Sequence, residues 1–357
     1  MKRIFVPGVL LCLVLLGPLR CPGQEPPAAV PDVQADVRAV CMDPRWPPLI
    51  ARLAEDGMDK ERMTQMFSDL ALPWSPVFMA AKVQELYGIR LGAGAQVKAL
   101  PDRDVLRPRD YMPPASSGFE GAKAMLKERE LLLAEVHRRY GVPPALIAAI
   151  LLLESDMGHE FGEGPALYAL ASMAATATAE QALQGIEGYR QPLPALRREM
   201  EKSVRERSAW AYTELHALLR YCEAGGIDIL RVPGSLHGAV GLCGFMPGNI
   251  GVYGVDSDKK GFVDLFGLPD AAHSIGNFLK EHGFSEKLSV KKQLDVLRRY
   301  NPADSYAALV LGMSFQLAGR RPPSELSMFA VQGFRKAWWP KIRPTYRLPL
   351  LGRYRLQ

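Results

Sequence analysis

The sequence predicts a mainly α protein. Apolar residues recur at helical spacing in several stretches, proline and glycine stand where those stretches start and stop, and strict apolar–polar alternation is scarce. Residues 47 to 90 carry the first helical periodicity. Leu91 to Ser117 is rich in glycine, proline and charge and reads as loop. From Gly118 the helical pattern returns, with Ala122, Met125, Leu126, Leu132, Leu133 and Val136 spaced for one apolar face. An apolar helix follows over Leu146-Ile-Ala-Ala-Ile-Leu-Leu-Leu153. Pro143 and Pro144 suit its start, because proline's missing N–H is not needed in a first turn, and a break is expected near Gly158. Further helices are predicted at 196–224, 268–283, 287–299 and 303–318. No internal repeat is evident.

The chain has 357 residues, 48% of them hydrophobic, enough for one large domain or two. Lys and Arg number 44 against 38 Asp and Glu, giving a net charge of +6 and a pI of about 9.0. A basic chain favours an anionic polymer. The charges are dispersed, with no Lys/Arg block and no recognition motif, so nucleic acid is not the expected partner.

The N-terminus reads as an export signal. Lys2 and Arg3 form a basic start, Ile4 to Gly17 an apolar core, and small or turn residues follow. That core is short for a membrane span, and cleavage is expected around Gly23 or Gln24. A retained anchor is the alternative. Lipidation at Cys21 is disfavoured, because Arg20 stands where a small residue is needed. Of the five cysteines, Cys12 and Cys21 leave with the signal, and Cys41, Cys222 and Cys243 remain. In an oxidising compartment Cys222 and Cys243 either bridge or stay as buried thiols, and both readings are open. No Cys/His spacing resembles a zinc site, and no cofactor is expected.

The expected organisation is a signal peptide over 1–24, a proline-rich linker over 25–46 and an N-terminal helical lobe with its loop over 47–117. The main domain covers 118–320, and a basic, aromatic C-terminal strap covers 321–357. The tail from Gly333 to Gln357 interleaves Arg335, Lys336, Lys341, Arg343, Arg347, Arg353 and Arg355 with Trp338, Trp339, Tyr346 and Tyr354. It reads as a strap packed on the body, with polymer or sugar binding as the alternative.

Glu154 is the residue most informative about chemistry. It closes the apolar run and is followed by Ser155, Asp156 and Gly158. A carboxylate among apolar side chains is desolvated, which disfavours its charged form and raises its pKa. Such a glutamic acid can keep a proton near neutral pH and donate it. A second segment, Gly234-Ser-Leu-His-Gly-Ala-Val-Gly-Leu-Cys-Gly-Phe-Met-Pro-Gly-Asn-Ile250, is rich in glycine. Glycines such as Gly241 let backbone approach a ligand closely, and Phe245 and Met246 are candidates for the floor of a sugar site. A loop packed on the core is the other reading of that segment.

Taken together, the run from Tyr140 to Gly158 and the stretch Gly238-Ala-Val-Gly-Leu-Cys-Gly-Phe-Met-Pro247 resemble the B-type lytic murein transglycosylases. Pro48 to Leu70, Tyr168 to Ala174, Asp264 to Phe284 and Tyr300-Asn-Pro-Ala-Asp-Ser-Tyr306 are similar to further family segments in the family's order. The resemblance implies a lysozyme-like α-domain with an additional N-terminal helical lobe. It also implies a periplasmic enzyme acting on peptidoglycan glycan strands, peripherally associated with the cell envelope. The net positive charge suits a wall whose stem peptides carry carboxylates. The implied reaction uses Glu154 alone. Glu154 protonates the glycosidic oxygen between MurNAc and GlcNAc, and the substrate's N-acetyl group supports the resulting cation. The ionised Glu154 then takes the C6 hydroxyl proton, giving a 1,6-anhydromuramic end. Asp156, two residues on, is a poor second catalyst, because positions two apart on a helix do not share a face.

By resemblance, Ser155 matches the small hydroxyl residue beside the acid. Phe245, Met246 and Pro247, with Gly241 in the same loop, match the substrate groove. Tyr300 and Asn301 match a motif lining the cleft, although a helix-cap pair reads equally well. Two departures stand out. Gly244 occupies the place of a family glutamine, losing a directional contact of roughly 0.5–1.5 kcal/mol. Gly248 and Asn249 replace two serines. Restoring the amide with Gly244→Gln is expected to strengthen substrate engagement unless Gly244 sits at positive φ.

The stretch Asp256 to Asp264 resembles an EF-hand-like loop of some relatives, with Asp256, Asp258, Gly261 and Asp264 in register. Lys260 and Gly267 stand where an oxygen ligand and a bidentate acid belong, so no metal is expected. Lys260 is expected to pair with the aspartates instead. Two other functions stay open. One is a non-catalytic peptidoglycan-binding or scaffold protein on the same fold, and the other is a muramidase using water.

Overall fold

The computed structural model describes residues 42–70, 73–87, 115–162, 164–184 and 194–326. The signal peptide, most of the linker and its Cys41, most of the loop over 91–117 and the aromatic tail beyond 326 lie outside the described residues. Among the described residues there are thirteen α-helices and two very short strands. The mainly helical, lysozyme-like expectation therefore holds.

The first periodic stretch forms three helices: α1 (Trp46–Glu55), α2 (Lys60–Leu70) and α3 (Val77–Tyr87). Trp46, which the sequence reading left in the linker, opens α1 and is fully buried against Phe67, their ring centroids 5.2 Å apart. These helices share one hydrophobic core with the rest of the described chain. Trp74 Nε1 donates to the Ser172 carbonyl at 2.9 Å, and the Arg52 guanidinium lies 3.5 Å from the Tyr212 ring centroid. An indole and a guanidinium thus tie the N-terminal helices down through both packing and directional bonds.

The next two helices are α4 (Gly118–Glu128) and α5 (Glu130–Tyr140). The central element is α6 (Pro144–Ser155). Every residue from Ala145 to Leu152 is buried, so its apolar character all round reflects a core position. Truncating one of its large side chains to alanine is expected to cost about 2–5 kcal/mol. Among the described residues no single helix is long and apolar enough to cross a membrane.

A two-residue strand, β1 (Gly164–Pro165), pairs antiparallel with β2 (Pro233–Gly234). Between them run α7 (Ala166–Ala174), α8 (Ala179–Leu183) and the 31-residue α9 (Pro194–Ala224). After β2 come α10 (Pro247–Tyr253), α11 (Leu268–Glu281), α12 (Val290–Tyr300) and α13 (Asp304–Leu317). The predicted helices at 196–224, 268–283, 287–299 and 303–318 are all present, with ends shifted by at most three residues. Helix α13 packs against α6 and α12. Cys222 and Cys243 are both free and buried, so the bridge is not formed. Burial, helped by the Asp228 charge, lifts the Cys222 thiol to about 12, leaving it unreactive.

Candidate active site

Helix α6 delivers Glu154 to its C-terminal end, and the chain there departs from helical geometry. Asp156 and Met157 both take positive φ, 46° and 57°. The helix has therefore ended where the sequence allowed a second carboxylate. Asp156 does not serve as one: it is buried, and its Oδ1 accepts the Gly118 N–H at 2.7 Å, holding the start of α4. Ser155 is also committed. Its hydroxyl donates to the Leu151 carbonyl at 3.1 Å and accepts from Gly158 N–H at 3.2 Å, and the residue is 1% exposed. In this arrangement it shapes the turn after Glu154.

Glu154 is partly exposed. Burial by the surrounding side chains lifts its carboxyl to about 7, and a hydrogen bond from Tyr306 opposes that rise. The Tyr306 hydroxyl donates to Glu154 Oε1 at 2.6 Å. No second carboxylate contributes to the shift among the described residues. The site thus holds an acid poised to lose its proton near neutrality, with a phenol ready to stabilise the anion. Tyr306 closes the Tyr300-Asn-Pro-Ala-Asp-Ser-Tyr306 stretch. Its place one turn into an apolar helix gave no sign that its hydroxyl would face α6.

The glycine-rich segment packs beside this acid. Val240 and Phe245 exchange backbone hydrogen bonds at 2.8 and 3.1 Å, closing a tight loop around Gly244. Gly244 has φ +61°, and a Cβ there would lie 2.3 Å from Glu154 Oε2. The space of a side chain is filled by the acid itself. Gly241 is required for packing, not for ligand approach: its φ is +75° and a Cβ would meet Leu265 Cβ at 2.6 Å. Phe245 is 2% exposed and rests between Phe278 and Tyr300, each 5.8 Å away by ring centroid. It packs in the core among these rings. Pro247 is buried as well, opening α10, while Met246 stays partly exposed.

Tyr300 and Asn301 end α12. The Tyr300 hydroxyl donates to the Cys243 carbonyl at 2.5 Å, pinning the loop, and its ring lies parallel to that of Tyr306, centroids 6.4 Å apart. Asn301 Oδ1 accepts from Ala303 N–H at 3.1 Å, which is a local turn bond. The cap-pair reading thus describes Asn301, and Tyr300 is a brace.

In the aspartate loop an ammonium stands beside the carboxylates. Asp256, Asp258 and Asp270 bring carboxylate oxygens within 4.8 Å of one another. Lys260 Nζ lies 2.9 Å from Asp258 Oδ2. Asp256 accepts the N–H groups of Lys260 and Gly261 at 3.0 and 2.7 Å. Asp270 accepts from Ser257 N–H and from Asp264 N–H, each at 2.8 Å. Backbone N–H groups engage the Asp256 and Asp270 oxygens, and the expected pairing of Lys260 with an aspartate is made at Asp258.

A helical body of this form, with an acid at the end of its central buried helix, defines the lysozyme-like class. The chain belongs to the transglycosylase SLT domain family, whose profile matches residues 43–296. The membrane-bound lytic murein transglycosylase B of Escherichia coli (strain K12) is 28% identical over 145 residues, 41% of this chain. That match spans 33% of the relative's length. The Escherichia coli lytic transglycosylase Slt35, solved in complex with bulgecin A, superposes with a TM-score of 0.54 at 17% identity, covering 77% of this chain and 93% of that one. SltB3 from Pseudomonas aeruginosa, solved in complex with NAG-NAM-pentapeptide, gives 0.52 at 17% identity over 80% of this chain and 79% of that one. At these identities the likeness concerns the fold.

Proposed function

We propose that the protein is a lytic transglycosylase that cleaves peptidoglycan glycan strands between MurNAc and GlcNAc, with Glu154 as the single acid and base. The observation that carries this reading is the Glu154 carboxyl, lifted to about 7 by burial and bonded only to Tyr306 among the described side chains. Protonated, it gives its proton to the glycosidic oxygen as the C1–O bond breaks. The substrate's N-acetyl group supports the cation at C1. The carboxylate, held by the Tyr306 hydroxyl, then removes the proton from the C6 hydroxyl, and O6 closes on C1. One bond breaks, one forms, the proton returns to Glu154 and no water is consumed. A hydrolase working with two carboxylates would need a second one to activate water, and Asp156 is turned to Gly118 instead. Partly exposed Met246 and the cleft edge near Asn301 are proposed for sugar contact. Work on the wall requires a location outside the cytoplasm, in keeping with the export signal, and the periplasm with peripheral attachment to the envelope is proposed.

The test is digestion of purified sacculi followed by mass spectrometry. Anhydromuramic ends are expected. Reducing ends would make the protein a muramidase, and an intact wall with bound protein would make it a binding or scaffold protein.

A further inference from the structure

The reaction leaves one buried acid without a role. Glu214, in the middle of α9, is 9% exposed, far from the end of its helix and outside every motif the sequence singled out. Its Oε2 accepts the Gly248 N–H at 2.7 Å. Gly248 follows Met246 and Pro247 in the first turn of α10, where backbone N–H groups lack helical partners. Pro247 has no N–H, and Met246, at the N-cap, has no side-chain oxygen to accept one. Glu214 reaches across from another helix and supplies that acceptor.

The loop is built for this reach. A Cβ on Gly248 would stand 3.1 and 3.2 Å from the two Glu214 oxygens, tighter than ordinary contact. Glycine at 248, where the resembling family carries serine, therefore matches a carboxylate at 214. The Trp210 side chain, one turn back on α9, also bonds the carboxylate, and both bonds favour its charged form against the cost of burial. The upstream side of the loop is fixed independently. There Val240 pairs with Phe245, and Tyr300 holds the Cys243 carbonyl.

We infer that Glu214 is a positioning residue for the substrate groove: by holding Gly248 it fixes Met246 and Pro247, while Gly244 is held by the separate upstream anchors and Glu154 by Tyr306. The inference rests on the proposed transglycosylase reading. Because the two anchors are separate, loss of Glu214 acts on glycan engagement more than on the chemical step.

The test compares wild type with Glu214→Ala, Glu214→Asp and Glu214→Gln. Each is assayed for KM and kcat on sacculi, for chitotetraose binding by calorimetry, and for exchange of the Gly248 amide by NMR. Glutamine keeps an acceptor at the same reach, whereas aspartate keeps the charge but falls short. The expected result is a KM or Kd raised roughly tenfold in the alanine and aspartate variants, kcat within about threefold of wild type, and faster Gly248 exchange. Glutamine should restore all three readouts. The inference is overturned if alanine or aspartate leaves KM and the Gly248 amide unchanged. It is equally overturned if all variants lower kcat and melting temperature together at constant KM, the mark of a purely structural role. Should the alanine variant not fold, aspartate and glutamine decide the matter by the same criteria. A wild type that releases no muropeptides sinks the proposed function instead, and amide exchange and chitotetraose binding then still judge Glu214.

Discussion

The Tyr306 hydroxyl donates to Glu154 Oε1 at 2.6 Å, joining two residues 152 positions apart in the chain. The bond favours the ionised carboxylate, while burial favours the protonated one, and burial is the larger influence. Tyr306→Phe removes the opposing bond. The Glu154 pKa should then rise further above about 7, and the alkaline limb of the kcat/KM profile should move to higher pH. Because a hydrogen bond to a charged group contributes about 1.5–3 kcal/mol, the deprotonated base is also less stabilised, and kcat should fall about tenfold or more. A pH–rate profile on sacculi checks both. An unmoved alkaline limb would show that the bond does not set the titration.

Glu154→Gln should nearly abolish release of anhydromuropeptides and leave the fold intact, since the amide keeps the shape and cannot transfer the proton. It should also change stability with pH in a defined direction. The folded pKa of about 7 lies above the unfolded value near 4.5, so wild type binds the proton more tightly when folded. That contribution is complete below about 4.5 and is lost as pH rises through about 7. The melting temperature of the variant relative to wild type should therefore increase from pH 4 to pH 8. A constant difference across that range would mean that Glu154 is not titrating as described.

Gly244→Gln should impair the protein, reversing the gain expected from the sequence. At φ +61° a side chain is strained by about 1 kcal/mol, and its Cβ would land 2.3 Å from Glu154 Oε2. The carboxylate must leave its place for the amide to enter. Lower melting temperature together with lower turnover is expected, and tighter glycan binding at unchanged stability would refute it.

Calcium should leave the melting temperature of wild type unchanged, and so should a chelator, because Lys260 already pairs with Asp258 at 2.9 Å. In Lys260→Asp the ammonium is replaced by an oxygen ligand beside Asp256, Asp258 and Asp270, and calcium should raise the melting temperature. A calcium-dependent shift in wild type would overturn the reading of Lys260 as the internal cation.

The sequence by itself determined where most of the helices lie and which acid closes the most apolar of them. Both are local properties: a periodicity of 3.6 residues and a carboxylate next to eight apolar neighbours are visible without knowing what packs on what. Spacing within one loop also set Lys260 beside the aspartates, where it pairs with Asp258. The tertiary structure decided the rest. It buried Phe245 and Ser155, turned Asp156 to α4, filled the space beside Gly244 with the Glu154 carboxylate, and brought Tyr306 and Glu214 to sites far from them in sequence. Each of these outcomes depends on which faces of α6, α9, α12 and α13 meet. Burial and hydrogen bonding between distant residues follow from that packing, and no local pattern of residues encodes it.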